Sequence, residues 1–144
     1  MTRAETEQRP GYLVKRVHQA LRQGCDEQLR TAGVSMAQYA VLRALADHPG
    51  ASAAELARRC FVTRQSLQDV LAGLRAADLV TVAESPNGGR ARPVALTRTG
   101  RATLHRADRA VLAVEEQMTA GLSPAQQTRL VTLLTTCADN LDKA

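Results

Sequence analysis

The sequence predicts a mainly α fold with a small β-wing: a winged helix-turn-helix with N- and C-terminal dimerisation helices. Three observations carry that expectation. Two short helices follow each other closely after Ser52, the second opening at Thr63. Two β-prone runs, residues 79–82 and 94–97, flank a turn-rich tip containing Asn87-Gly88-Gly89. Amphipathic helical stripes stand on both sides of this segment.

Taken in order, Tyr12, Leu13, Val17, Ala20, Leu21 and Leu29 recur at helical spacing from residue 10 to about 31, and Ala32-Gly33 supplies the stop. Ser35 caps a second helix with Met36, Tyr39, Ala40, Leu42, Leu45 and Ala46 on one face, ended by His48-Pro49-Gly50. Ser52 and Glu55 have the spacing of a capping box and open a short helix that reaches Arg59. After the turn at Cys60-Phe61-Val62, Thr63 caps a helix whose Leu67, Val70, Leu71 and Leu74 face inward. That leaves Arg64, Gln65, Ser66, Gln68 and Asp69 on the outside. Such side chains bond phosphates and base edges, and an arginine at a helix start suits bidentate contact with guanine.

Glycines 88 and 89 ease the reversal of the hairpin, because glycine accepts positive φ. Arg90 and Arg92 project from its tip, where contact with a DNA backbone or minor groove is natural. Beyond the wing, Leu104, Ala107, Val111, Val114 and Met118 form one stripe. Gly121 breaks it, Ser123-Pro124 restarts a helix, and Leu130, Leu133, Leu134, Cys137 and Leu141 form another. Both stripes read as faces that need a partner, and a two-fold homodimer supplies one, with an intramolecular three-helix pack as the alternative. Residues 1–144 are expected to be a single domain, with 10–32 and 101–142 as dimerisation helices around a winged part at 35–100.

Composition narrows the function. The formal net charge is +5, and residues 51–101 carry eight Lys and Arg against four Asp and Glu. A basic surface attracts phosphates whatever the base sequence. Aromatic residues make up 2% of the chain and Trp is absent, which removes the stacking platforms used on single strands; double-stranded DNA is the expected partner. No apolar run approaches the roughly 20 residues of a bilayer span, and the first ten residues are polar, so a cytoplasmic protein with no membrane partner is expected. Cys25, Cys60 and Cys137 have no disulfide-framework or zinc spacing. His18, His48 and His105 are far apart, no nucleophile–base spacing occurs, and neither cofactor, metal nor enzymatic activity is expected.

From residue 11 to 141 the chain resembles the MarR, or multiple antibiotic resistance regulator, family of bacterial transcription factors. The likeness is carried by Gln38-Tyr39-Ala40-Val41-Leu42-Arg43-Ala44-Leu45, Glu55-Leu56-Ala57, Val62-Thr63-Arg64-Gln65-Ser66, Leu74 with Leu79-Val80, and Arg90 with Leu96-Thr97-Arg98-Thr99-Gly100. The resemblance implies a homodimeric repressor on a pseudo-palindromic operator, with Arg64, Gln65, Ser66 and Gln68 at bases or nearby phosphates and Arg90 in the minor groove. Ser52, Thr63, Asp69, Arg75 and Arg92 complete the expected DNA-contact set. It also implies release from DNA by a small aromatic or phenolic effector, in a crevice for which Tyr12, His18, Arg22, Met36, Tyr39 and Arg43 are the candidate lining.

Three positions depart from the family pattern. Gly88 stands where an aspartate usually orients the wing arginine, Asp69 where a basic residue is common, and Asp78 where glycine usually ends the recognition helix. An acid at position 69 repels phosphates unless it accepts a bond from cytosine. Two alternatives accompany the regulator: a winged-helix protein-interaction module with weak or no DNA binding, and a thiol-based redox sensor using Cys25 or Cys60. For Cys60, nearby Arg58, Arg59 and Arg64 would lower the thiol pKa, whereas burial would make it a small hydrophobe.

Overall fold

The computed structural model describes residues 1–82 and 93–143; the expected hairpin tip, with Gly88, Arg90 and Arg92, lies outside the described residues. The element order is α1 (Arg3–Glu7), α2 (Pro10–Leu29), a 3-10 turn (Arg30–Ala32), α3 (Met36–Asp47), α4 (Ala53–Arg59), α5 (Arg64–Ala76), β1 (Val80–Val82), β2 (Val94–Leu96), α6 (Arg98–Met118) and α7 (Pro124–Asp142). The chain divides into two compact units, Met1–Val114 and Glu115–Ala144.

Helix starts follow the hydroxyl caps. At Ser35 and Ser123 the capping box closes through Gln38 and Gln126, so each side chain satisfies the other residue's backbone N–H. The box expected at Ser52 is only half formed. Its hydroxyl accepts from the Glu55 N–H at 3.1 Å, but the Glu55 carboxylate turns one turn onward to Arg59, also at 3.1 Å. Helix α1 was not foreseen: it rests on a Thr2–Glu5 capping box in a stretch without apolar periodicity.

In the first unit the core gathers around Leu29, Leu42, Leu56, Leu67 and Leu74, all fully buried. Helix α5 presents Leu67, Leu71 and Leu74 to this core, from which Leu42 and Leu45 of α3 and Leu56 of α4 also come. Helix α6 contributes Leu104, Ala107, Val111 and Val114 to the same cluster. This corrects the expectation that the 104–118 stripe needs a partner, since four of its five residues are buried within the chain and only Met118 is exposed. Exposed apolar side chains of this unit stand instead along α2, at Tyr12, Leu13, Val14 and Val17, and singly at Phe61 and at Leu112 of α6. In the second unit no residue of α7 is buried, and Val131, Leu133, Leu134 and Leu141 are exposed.

Strands β1 and β2 pair antiparallel, with Val80 opposite Leu96 and Val82 opposite Val94. A tight junction ties them to α6. Thr97 donates its N–H to the Leu79 carbonyl at 3.1 Å and its hydroxyl to the Asp78 carbonyl at 2.6 Å, and its Oγ1 accepts the Gly100 N–H at 2.9 Å. Gly100 then lies so close to Leu79 that an added Cβ would collide with the Leu79 carbonyl. Backbone against backbone leaves no room to yield. Gly100→Ala is expected to lower stability by about 1–3 kcal/mol, read from the midpoint of urea unfolding.

Two non-glycine residues take the left-handed conformation, Phe61 at φ 56° and Asp78 at φ 60°. Asp78 thus adopts the geometry that glycine usually supplies at the end of such a helix, and a short polar side chain tolerates it. Phe61 is the costlier case, because its bulky side chain gains nothing from burial: it is 95% exposed. Phe61→Gly is therefore expected to raise stability by roughly 1 kcal/mol in the same assay.

Candidate nucleic-acid interface

The outward face of α5 is set by what its inward face must bury. Leu67, Leu71 and Leu74 are held in the core, so Arg64, Gln65, Ser66, Gln68, Asp69 and Arg75 are all exposed. At its start, the Thr63 Oγ1 accepts the Ser66 N–H at 3.1 Å and donates to the Ser66 hydroxyl at 3.0 Å. This cap fixes where the helix begins and with it the position of Arg64.

Four of the expected DNA-contact residues meet in one place. Ser52, Arg64, Gln68 and Arg75 line a cleft of about 1090 Å³ bounded also by Val82, Pro93 and Val94 of the strand region. The N-terminal end of α4, the outer face of α5 and the root of the hairpin therefore border one concave, arginine-bearing surface. Gln65 and Asp69 form a separate pair, with Gln65 Nε2 donating to Asp69 Oδ1 at 3.3 Å. The acid thus orients a neighbouring amide rather than standing alone on the reading face. Arg90 and Arg92 lie outside the described residues.

The expected effector residues fall into two groups. Tyr12, His18 and Arg22 stand exposed along α2, whereas Met36 and Tyr39 are half-buried against the core. The Met36 N–H is taken by Asp26 Oδ1 of α2 at 2.8 Å. Tyr39 and Arg43 share a partner that sequence reasoning missed, Asp108 of α6. Its Oδ1 accepts from the Tyr39 hydroxyl at 2.9 Å and its Oδ2 from Arg43 Nη1 at 2.8 Å. Arg43 also donates to both oxygens of Asp47, one turn further along α3. These bonds, the one to Asp47 foremost, hold the Arg43 guanidinium above its ordinary pKa, and Arg43 in turn keeps the Asp47 carboxyl below the usual carboxylate value. The missed signal was positional: residue 108 adjoins the buried stripe of α6 at Ala107 and is itself part-buried, where a carboxylate gains from a donor.

Cys60, in the turn that precedes α5, settles between the two environments the sequence allowed. Burial pushes its thiol pKa up, so the lowering expected from nearby arginines is not realised. Cys25 is buried and Cys137 exposed. Among the described residues no group of three His, Cys, Asp or Glu could hold a metal ion. No helix there is long and apolar enough to cross a membrane. Peptide mapping after iodoacetamide treatment should find Cys60 alkylated slowly near pH 8, with the rate rising only above the pH at which an unperturbed thiol, of pKa about 8.5, becomes thiolate.

Comparison with known proteins places this geometry in a lineage. Residues 32–91 match the model of the MarR family. An HTH-type transcriptional repressor of Mycobacterium tuberculosis is 38% identical over 117 residues, covering 81% of this chain and 84% of that protein. A crystal structure of a MarR family protein from the same organism, in complex with salicylic acid, superposes with a TM-score of 0.75 at 36% identity over 90% of this chain and 96% of the other. The transcriptional repressor CouR, bound to a 23-mer DNA duplex, gives a TM-score of 0.85 at 27% identity over 96% of this chain and 98% of the other. With the family model spanning α3 to α5 and a relative 38% identical over 81% of this chain, the chain belongs to the MarR family of winged helix-turn-helix transcription regulators.

Proposed function

We propose that the chain is a cytoplasmic repressor that binds double-stranded operator DNA as a homodimer and leaves it when a small aromatic acid binds. The observation that carries this reading is the common cleft of Ser52, Arg64, Gln68 and Arg75 beside the capped start of α5. Hydroxyl, amide and guanidinium donors converge there on a concave surface, the combination that grips phosphates while reading base edges. Thr63, Gln65, Ser66 and Asp69 complete the reading end of the helix, and Arg90 and Arg92 are assigned to the wing. The likeness to a repressor bound to duplex DNA supports the docking mode. The salicylic acid complex of the mycobacterial relative supports the effector class.

The dimer is supported by the exposed apolar residues of α2 and α7, Val14, Val17, Val131 and Leu134 among them, which single-chain folding leaves in water. A two-fold pairing buries such faces and sets two α5 helices about one turn of DNA apart, near 10 base pairs. Residues 10–32 and 101–142 are the assigned dimerisation segments around the winged part at 35–100, with α6 divided in its duty because Leu104, Ala107, Val111 and Val114 already pack in the core of the first unit.

The test is fluorescence anisotropy with the chain's own upstream DNA and a scrambled duplex, at two salt concentrations. Preferential binding with two protomers per site and a steep salt slope is expected. Equal or absent binding to both duplexes favours the protein-interaction module instead. Arg64→Ala should cost about 1–3 kcal/mol and relax base preference, while Arg90→Ala should weaken binding evenly across sequences and reduce the salt slope by about 1. Parent-like discrimination in both variants would rule out this docking.

A further inference from the structure

Tyr39 and Arg43, one turn apart on α3, aim a phenolic O–H and a guanidinium N–H at one point, and a carboxylate of the same chain occupies it. Asp108 of α6 accepts from Tyr39 at 2.9 Å and from Arg43 at 2.8 Å, one bond to each of its oxygens. Two donors that hold the two oxygens of a carboxylate form a carboxylate seat, whatever molecule brings the carboxylate. We infer that Asp108 is a built-in competitor for the effector: a small aromatic acid binds by displacing Asp108 from the Tyr39–Arg43 seat, which breaks the tie between α3 and α6. This inference rests on the effector-responsive reading above.

Three features support the exchange. The pair is reachable, since the side chains of Arg43 and Asp108 are 38% and 25% exposed, and an ion pair so open to water is weak enough to be replaced. Arg43 also borders an open cavity of about 350 Å³, a size suited to a one-ring ligand, whose remaining lining is Ala40, Ala44, Asp47, His48, Arg59 and Phe61, so that the space adjoins the seat at its guanidinium and not at Tyr39 or Asp108. Finally, Arg43 keeps Asp47 as a second carboxylate partner, so its guanidinium stays oriented once Asp108 leaves.

The exchange has a route to the DNA-reading helix. Helix α3 shares its core leucines with α5, while Asp108 ties α3 to α6. A ligand that binds only after that tie opens stabilises the opened arrangement by its differential affinity for it. Occupation of the seat therefore shifts α3, and with it the support on which α5 rests.

Isothermal titration calorimetry with salicylate on the full chain tests this, using the parent, Asp108→Asn and Arg43→Gln, with thermal melts to verify folding. Removing the competing charge should tighten salicylate binding roughly tenfold in Asp108→Asn, and removing the guanidinium should weaken it by a similar factor. A merely structural role for Asp108 predicts the opposite sign, because a loosened site binds less. Salicylate affinity that is unchanged or weaker in folded Asp108→Asn, or absent from every variant, overturns the inference. If Asp108→Asn fails to fold, Asp108→Ala supplies the same test. Duplex-DNA anisotropy on the same preparations separates the two levels. Salt-sensitive DNA binding together with indifference to the Asp108 substitution rejects only the displacement, whereas a parent that binds no DNA rejects the regulator reading itself.

Discussion

The buried face of α5 governs everything on its other side. Leu67 and Leu74 stand two turns apart and are both fully buried among Leu42 of α3 and Leu56 of α4, so the helix can neither roll nor slide without opening the core. Truncating a leucine in such a position costs about 2–5 kcal/mol, a large part of the stability of a small domain. That penalty keeps Arg64, Gln68 and Arg75 on the outer stripe, and the Thr63 cap decides where the stripe begins. The exposure of these side chains is thus inherited from packing, and the DNA-contact role proposed for them needs no contacts among themselves to hold them on one face.

The wing depends on a second close fit. Thr97 bonds two consecutive carbonyls, those of Asp78 and Leu79, and caps the start of α6 through Gly100. One residue therefore joins the end of α5, the start of the first strand and the long helix that follows, by its backbone N–H and its hydroxyl together. The left-handed turn at Asp78 delivers the chain into that junction. The hairpin root stays in register with α5 because its anchor is backbone to backbone, which tolerates less movement than a contact between flexible side chains.

Between α3 and α6 the fold uses charge where elsewhere it uses leucine. Arg43 answers two carboxylates, one on its own helix and one on α6, and Tyr39 shares the second. Apolar packing has no ready substitute, but a carboxylate seat can change occupant, and this polar patch is the part of the α3–α6 contact open to a small acid. Phe61 beside the neighbouring cavity is unusual in the same sense, a strained and exposed aromatic residue in a chain with few aromatics.

Much of this architecture is local and was therefore legible in the residues. The caps at Ser35, Thr63 and Ser123, the leucine spacing of α5 and the β-prone runs around the tip depend on neighbours within a few positions. The outward set from Arg64 to Asp69 followed from that spacing alone. Contacts across long sequence separations were not legible. Nothing local announces that Asp108 lies against Tyr39 and Arg43, that Glu55 prefers Arg59 to its own cap, or that the 104–114 stripe is buried within the chain while the apolar residues of α2 and α7 remain exposed. The sequence by itself determined the helices from α2 onward and the outward face of α5, because periodicity and capping are short-range physics. The tertiary structure decided which apolar faces were satisfied and which charges met, because burial and pairing depend on distant segments arriving at the same place.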